Sequence, residues 1–162
     1  MENQTRIRRS RHAAWVLGAL VVLTLAFIFG NSLQNGAASS AASGSLRQLL
    51  ENLTGVPVNE FLLRKAAHFS EYALLGAEVS LLLRALSGCV LRHTAWRRNV
   101  LDFAAFGFLT AAIDETIQIF SGRGSSLLDV WLDTAGYLTG FFLFFLLAQW
   151  ILRIRSKRHE KL

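Results

Sequence analysis

At 162 residues the chain has room for one compact unit and none for a second soluble domain. Its charged content of 17%, against 52% hydrophobic, lies below the ~25% typical of soluble domains, and a single cysteine, Cys89, excludes an intrachain disulfide framework. The net charge of +6 does not indicate a nucleic-acid partner, because thirteen of the 17 Lys and Arg flank apolar segments: Arg6, Arg8, Arg9 and Arg11, then Arg84, Arg92, Arg97 and Arg98, then Arg153, Arg155, Lys157, Arg158 and Lys161. That is the positive-inside distribution of a membrane protein.

Residues 1–12 read as a basic cytoplasmic arm. Residues 13–30 form a first spanning segment, close to the ~20 residues a bilayer requires. The run exceeds the ~7–15 apolar residues of a signal peptide, and the small residues near Ala37 lie far from its end. Residues 31–45, rich in Ser, Ala and Gly, read as loop. Leu46, Leu49, Leu50 and Leu53 then recur at helical spacing and predict a short amphipathic helix at the membrane surface, broken at Gly55-Val56-Pro57.

The second span, 61–86, is apolar yet carries Arg64, Lys65, His68, Glu71 and Glu78. At ~100° per residue these five fall on one arc of roughly 140°, and the opposite Leu, Ala and Phe face suits lipid. Residues 87–98 form a basic loop. The third span, 100–120, places Gly107, Thr110, Asp114 and Gln118 on one stripe, with Glu115 beside it. After the turn 121–126, the fourth span, 127–152, aligns Asp129, Asp133, Gly136 and Gly140 within about 60°. A basic tail, 153–162, closes the chain. Residues 13–152 thus read as one all-α domain, a four-transmembrane-helix bundle with an amphipathic helix between spans 1 and 2 and both termini cytoplasmic.

At ~1.5 Å per residue, Glu71, Asp114 and Asp133 reach one level in the outer leaflet, with His68, Gln118, Arg123 and Asp129 around the mouth. Intramembrane ionisable groups mark functional sites, so the expectation is an outward-facing polar pocket lined by Arg64, Lys65, His68, Glu71, Asp114, Glu115, Gln118, Arg123, Asp129 and Asp133. The competing reading is that Asp114 and Asp133 form buried ion pairs with Arg64, Lys65 or Arg123 that fix helix register. Glu78 lies too deep for the pocket and reads as a separate structural contact. Gly136 and Gly140 form a GxxxG that packs a helix or, alternatively, joins two copies of the chain.

Three blocks resemble the VanZ-like family, which is named for a protein associated with teicoplanin resistance. They are Phe29-Gly30-Asn31-Ser32-Leu33-Gln34; Arg64-Lys65-Ala66-Ala67-His68-Phe69-Ser70-Glu71-Tyr72 with the four residues that follow; and Asp114-Glu115-Thr116-Ile117-Gln118 with Arg123, Asp129, Gly136 and Gly140. The family commonly has Asn where this chain has Asp133. The resemblance covers about residues 15–150. It implies a multi-pass bacterial cell-membrane protein, with His68, Glu71, Asp114, Glu115, Gln118, Arg123 and Asp129 as family-typical positions, and it implies no settled reaction.

Two functions follow. In the first, the pocket binds a lipid-linked or amphipathic envelope molecule, with Arg64, Lys65 and Arg123 holding phosphate or carboxylate, and contributes to glycopeptide resistance. In the second, an intramembrane enzyme acts on a lipid head group, with His68 as acid or base oriented by Glu71, and Asp114 or Asp129 as partner. No cofactor is required by the first. For the second, Glu71, Asp114, Glu115, Asp129 and Asp133 form an oxygen-rich set that suits a divalent metal, and zinc is disfavoured because only His68 among the four His lies in the pocket.

Overall fold

The structure is a computed structural model that describes residues 2–87 and 96–159. Five helices follow one another: α1 Glu2–Leu33, α2 Gly36–Thr54, α3 Glu60–Ser87, α4 Trp96–Phe120 and α5 Leu127–His159. Among the described residues there is no strand. Three segments, Arg11–Leu33, Leu101–Phe120 and Leu127–Ile151, are long and apolar enough to cross a membrane. The 88–95 part of the basic loop, with Cys89 and Arg92, lies outside the described residues.

The helix ends have local causes. Asn35 caps α2 by accepting the Ala38 N–H at 2.9 Å. Gly55, at φ 69°, ends α2 in the left-handed conformation and donates its N–H to the Glu51 carbonyl at 2.9 Å. Asn59 Oδ1 caps α3 through the N–H groups of Phe61 and Leu62. Gly122, at φ 72°, ends α4, and Ser126 Oγ accepts the Leu128 N–H at the start of α5.

One reading of the sequence is corrected here. Residues 36–45 are helix, not loop: the Asn35 cap starts α2 early, and Ser43 Oγ bonds back to the carbonyls of Ser39 and Ser40, both at 3.1 Å, without breaking it. The basic ends are helical over the described residues, since α1 begins at Glu2 and α5 continues to His159. Arg and Lys are good helix formers, and nothing in these stretches breaks a helix.

The helices alternate in direction. Thr24 of α1 meets Glu78, and Asn31 meets Glu71, so α1 and α3 are antiparallel. Phe103–Phe141 and Phe106–Tyr137 ring contacts make α4 and α5 antiparallel. Between α3 and α5 the order runs the same way, Phe69 with Gly136 and Ala73 with Gly140, so those two are parallel. The ends of α1 and α4, the starts of α3 and α5, and α2 therefore share one end of the bundle.

α3 and α5 form the most extensive helix pair and α1 and α3 the next, which puts α3 at the centre. Residues 75–80 of α3 are buried around the whole helix. The broad lipid face expected for this helix narrows to Leu62, Ala66, Ser70 and Leu74 along its first half, with Phe61 and Leu86 exposed near its ends. Tyr72, Leu75, Val79 and Leu83 of α3 join Val21, Ile28, Ala111, Val130, Tyr137 and Phe141 in the core.

Glycines permit the α3–α5 contact. A Cβ on Gly140 would meet the Ala73 carbonyl, one on Gly136 the Phe69 carbonyl, and one on Gly76 the Tyr137 carbonyl. Backbone cannot swing aside as a side chain can, so the two helices would have to separate. The Gly136/Gly140 face packs against α3 of the same chain. Gly140→Val or Gly76→Val is expected to destabilise the protein by about 1–3 kcal/mol or more, read as a fall in thermal midpoint in detergent. Gly18→Ala, where nothing lies within 4 Å, should not lower the midpoint, since Ala favours the helix over Gly.

Candidate functional site

At the end of the bundle where α3 and α5 start, a cavity of about 450 Å³ opens between α3, α5 and the end of α4. α3 contributes Phe61, Arg64, Lys65 and His68 to its wall. α4 and the following turn contribute Glu115, Gln118 and Arg123, and α5 contributes Asp129, Leu132 and Asp133. A second hollow of about 300 Å³ lies between α1, α2 and α3, bounded by Asn31, Ser39, Ser43 and Glu71. Arg64, His68 and Arg123 touch both spaces. Of the ten residues expected at the pocket, eight line the larger cavity. Glu71 faces the smaller one, and Asp114 is fully buried behind them.

Each polar group can be followed to its partner. Lys65 forms an ion pair with Asp129 and lies 5.1 Å from the centre of the Phe61 ring. Gln118 Nε2 donates to Asp114 Oδ2 at 3.2 Å and to Glu115 Oε1 at 3.0 Å, while Glu115 Oε2 accepts the Ser126 N–H at 3.0 Å. Arg123 Nη1 donates to the Asn31 carbonyl at 3.0 Å. Burial, and after it the like charge of Arg64, holds the Arg123 guanidinium below its ordinary pKa. Arg64 and Arg123 have no ion pair with a carboxylate among the described residues.

Asp114 and Asp133 do not form the ion pairs that a purely register-fixing role requires. Lys65 is held by Asp129, and no cation pairs with either acid among the described residues. Asp133 is 1% exposed, and neither of its oxygens has a hydrogen-bond partner there. Instead a donor atom of His68, one of Asp114 and one of Asp133 lie within 4.8 Å of one another. The five-carboxylate metal set read from the sequence does not assemble: Asp129 is turned to Lys65, Glu115 to Gln118 and Ser126, and Glu71 to Asn31. Nor is His68 oriented by Glu71, since Glu71 Oε1 receives Asn31 Nδ2 at 3.5 Å and His68 Nδ1 has no partner among the described residues.

Several residues here were not singled out from the sequence as site positions. Asn31 joins α1 to both Glu71 and Arg123. Ser32 is fully buried beside Asp114, and its carbonyl accepts Ser121 Oγ at 2.7 Å. The available signal was an Asn-Ser pair placed directly after 18 apolar residues, at the depth where the other helices turn polar. Glu78 lies apart, accepting Thr24 Oγ1 at 3.0 Å. That agrees with its separation from the pocket and identifies α1 as its neighbour.

No curated protein and no solved structure matches the chain. A protein-family model described as VanZ/LLP1 matches residues 15–148. That span takes in the cavity residues, Asp114, Glu71, Asn31 and the glycine seam, and it covers most of the chain. This membrane protein therefore belongs to the VanZ/LLP1 family.

Proposed function

We propose that the chain crosses the bacterial plasma membrane four times and that its cavity, open to the outer face, binds the anionic head group of a lipid-linked or amphipathic cell-envelope molecule. One observation carries the binding reading. Two guanidiniums, Arg64 and Arg123, border one cavity without a carboxylate ion pair among the described residues. Like charges brought together and partly desolvated favour an anion between them. Exposed Phe61 at the rim, and Leu46, Leu49 and Leu53 exposed on α2, offer apolar surface for the tail of such a molecule. Reduced susceptibility to an acylated glycopeptide such as teicoplanin is the cellular effect proposed for this site, by way of the family resemblance.

Helix direction supports four crossings. α1 and α4 both end at the cavity end of the bundle, so the chain between them must return, and α3 runs that way. Its 28 residues reach about 42 Å, enough to cross a bilayer of ~30 Å hydrocarbon thickness. The end away from the cavity carries Arg11, Arg84 and Arg153 on three helices, which favours a cytoplasmic position for it.

Two experiments test this. In nanodiscs, binding of polyprenyl phosphate and of teicoplanin should be saturable and should exceed binding of neutral polyprenol. Arg64→Gln should weaken it roughly tenfold to a hundredfold, the range for lost hydrogen bonds to a charged group; equal binding of the neutral polyprenol would sink the reading. For topology, Ala38→Cys and Ser125→Cys in a Cys89→Ala background should react with an impermeant maleimide on intact cells. Cys89 of the natural protein should react only after permeabilisation, and its labelling from outside would reverse the proposed orientation.

A further inference from the structure

The strongest unassigned feature lies at the floor of the cavity. His68 on α3, Asp114 on α4 and Asp133 on α5 each turn a ligand atom toward a common point, all within 4.8 Å of one another. Asp114 and Asp133 are 0% and 1% exposed. A buried carboxylate needs a counter-charge or several hydrogen bonds. Asp133 has neither among the described residues, on either oxygen, and His68 Nδ1 has no partner there. The surrounding groups do not supply what is missing. Lys65 is paired with Asp129, the carboxamide of Gln118 is shared between Asp114 and Glu115, and Arg123 is tied to the Asn31 carbonyl.

We propose that His68, Asp114 and Asp133 bind one first-row divalent transition-metal ion, Zn²⁺ or Mn²⁺, at the floor of the cavity. An imidazole with two carboxylates suits these ions better than Ca²⁺, which takes ~6–8 oxygens. Donors at ~2.1 Å from one tetrahedral metal lie about 3.4 Å from one another, so any pair as wide as the 4.8 Å limit would close by somewhat more than an ångström through side-chain rotation. The three donors come from three helices, so the ion would join α3, α4 and α5 where the glycine seam already brings two of them together. His68 and Asp133 also line the cavity, while Asp114 lies behind it. The free coordination positions therefore face the space bordered by Arg64 and Arg123. The site stands independently of the head-group reading, because it is defined without any bound anion.

The test uses the full chain in nanodiscs, stripped by a chelator and then dialysed against low-micromolar ZnCl₂ or MnCl₂. Metal per chain is measured by mass spectrometry, and Mn²⁺ ligation by electron paramagnetic resonance. The expected result is one equivalent per chain. Asp133→Asn, which keeps the shape of the side chain, and His68→Gln should each lower the affinity at least about tenfold, since losing a direct ligand costs no less than losing an outer partner. Glu78→Gln, away from the cavity and bonded to Thr24, should retain the metal. Absence of saturable uptake by the natural protein would overturn the site. Undiminished uptake by both Asp133→Asn and the half-buried His68→Gln would also overturn it.

Discussion

The close approach of α3 and α5 is the constraint on which the other contacts depend. Helices in lipid gain little from burying apolar surface against one another, so close packing and polar contacts must hold them. Here Gly76 on one helix and Gly136 and Gly140 on the other bring backbone against backbone over two turns. Tyr137, fully buried, sits between this seam and α4, with its ring against Gly107. One residue thus keys the third helix to the pair, and a larger residue at position 107 would displace it.

The register of that seam determines which polar groups meet. Because α3 and α5 are parallel, Lys65 falls beside Asp129 in the same arrangement that sets Phe69 beside Gly136. One helical turn further in, His68 and Asp133 come to the same level. A slip of one turn along the seam would separate both pairs and bring a side chain against a carbonyl. The glycines therefore act on the chemistry of the site without touching it. A polar cavity is also kept open by this means, since a seam of small residues cannot extend sideways to fill it.

Much of this was legible in the sequence, for a specific reason. Helical periodicity is a local property, so the arcs on α3, α4 and α5 could be drawn without knowing the neighbours of any helix. What the sequence could not provide was how one arc is divided between two neighbours. Taking His68 as the reference, Glu71 and Glu78 lie on one side, at roughly −60° and −80°, and Lys65 on the other, at roughly +60°. The first two meet Asn31 and Thr24 of α1, and Lys65 meets Asp129 of α5. Arg64, at roughly −40°, borders both hollows. The start of α2 was missed because Ser and Gly usually signal loop, whereas one capping asparagine changed the outcome.

The division of the arc also sorts the charges by role. The groups turned toward α1, and those held by Gln118 and Ser126, have partners supplied by the chain and can hold helices in place. Arg64 and Arg123 on the wall, and Asp133 with His68 at the floor, are charged or polar groups for which the chain supplies no ion pair among the described residues. The unpaired positive groups lie on the wall and the unpaired acid on the floor. Were these groups only structural, the shortest route to stability would be to let them neutralise one another across the cavity. The seam instead fixes Asp133 on a helix whose nearest lysine is already committed to Asp129. Guanidiniums on the wall kept apart from an unpartnered carboxyl group on the floor of one small space are the arrangement on which the proposed head-group and metal sites both rest.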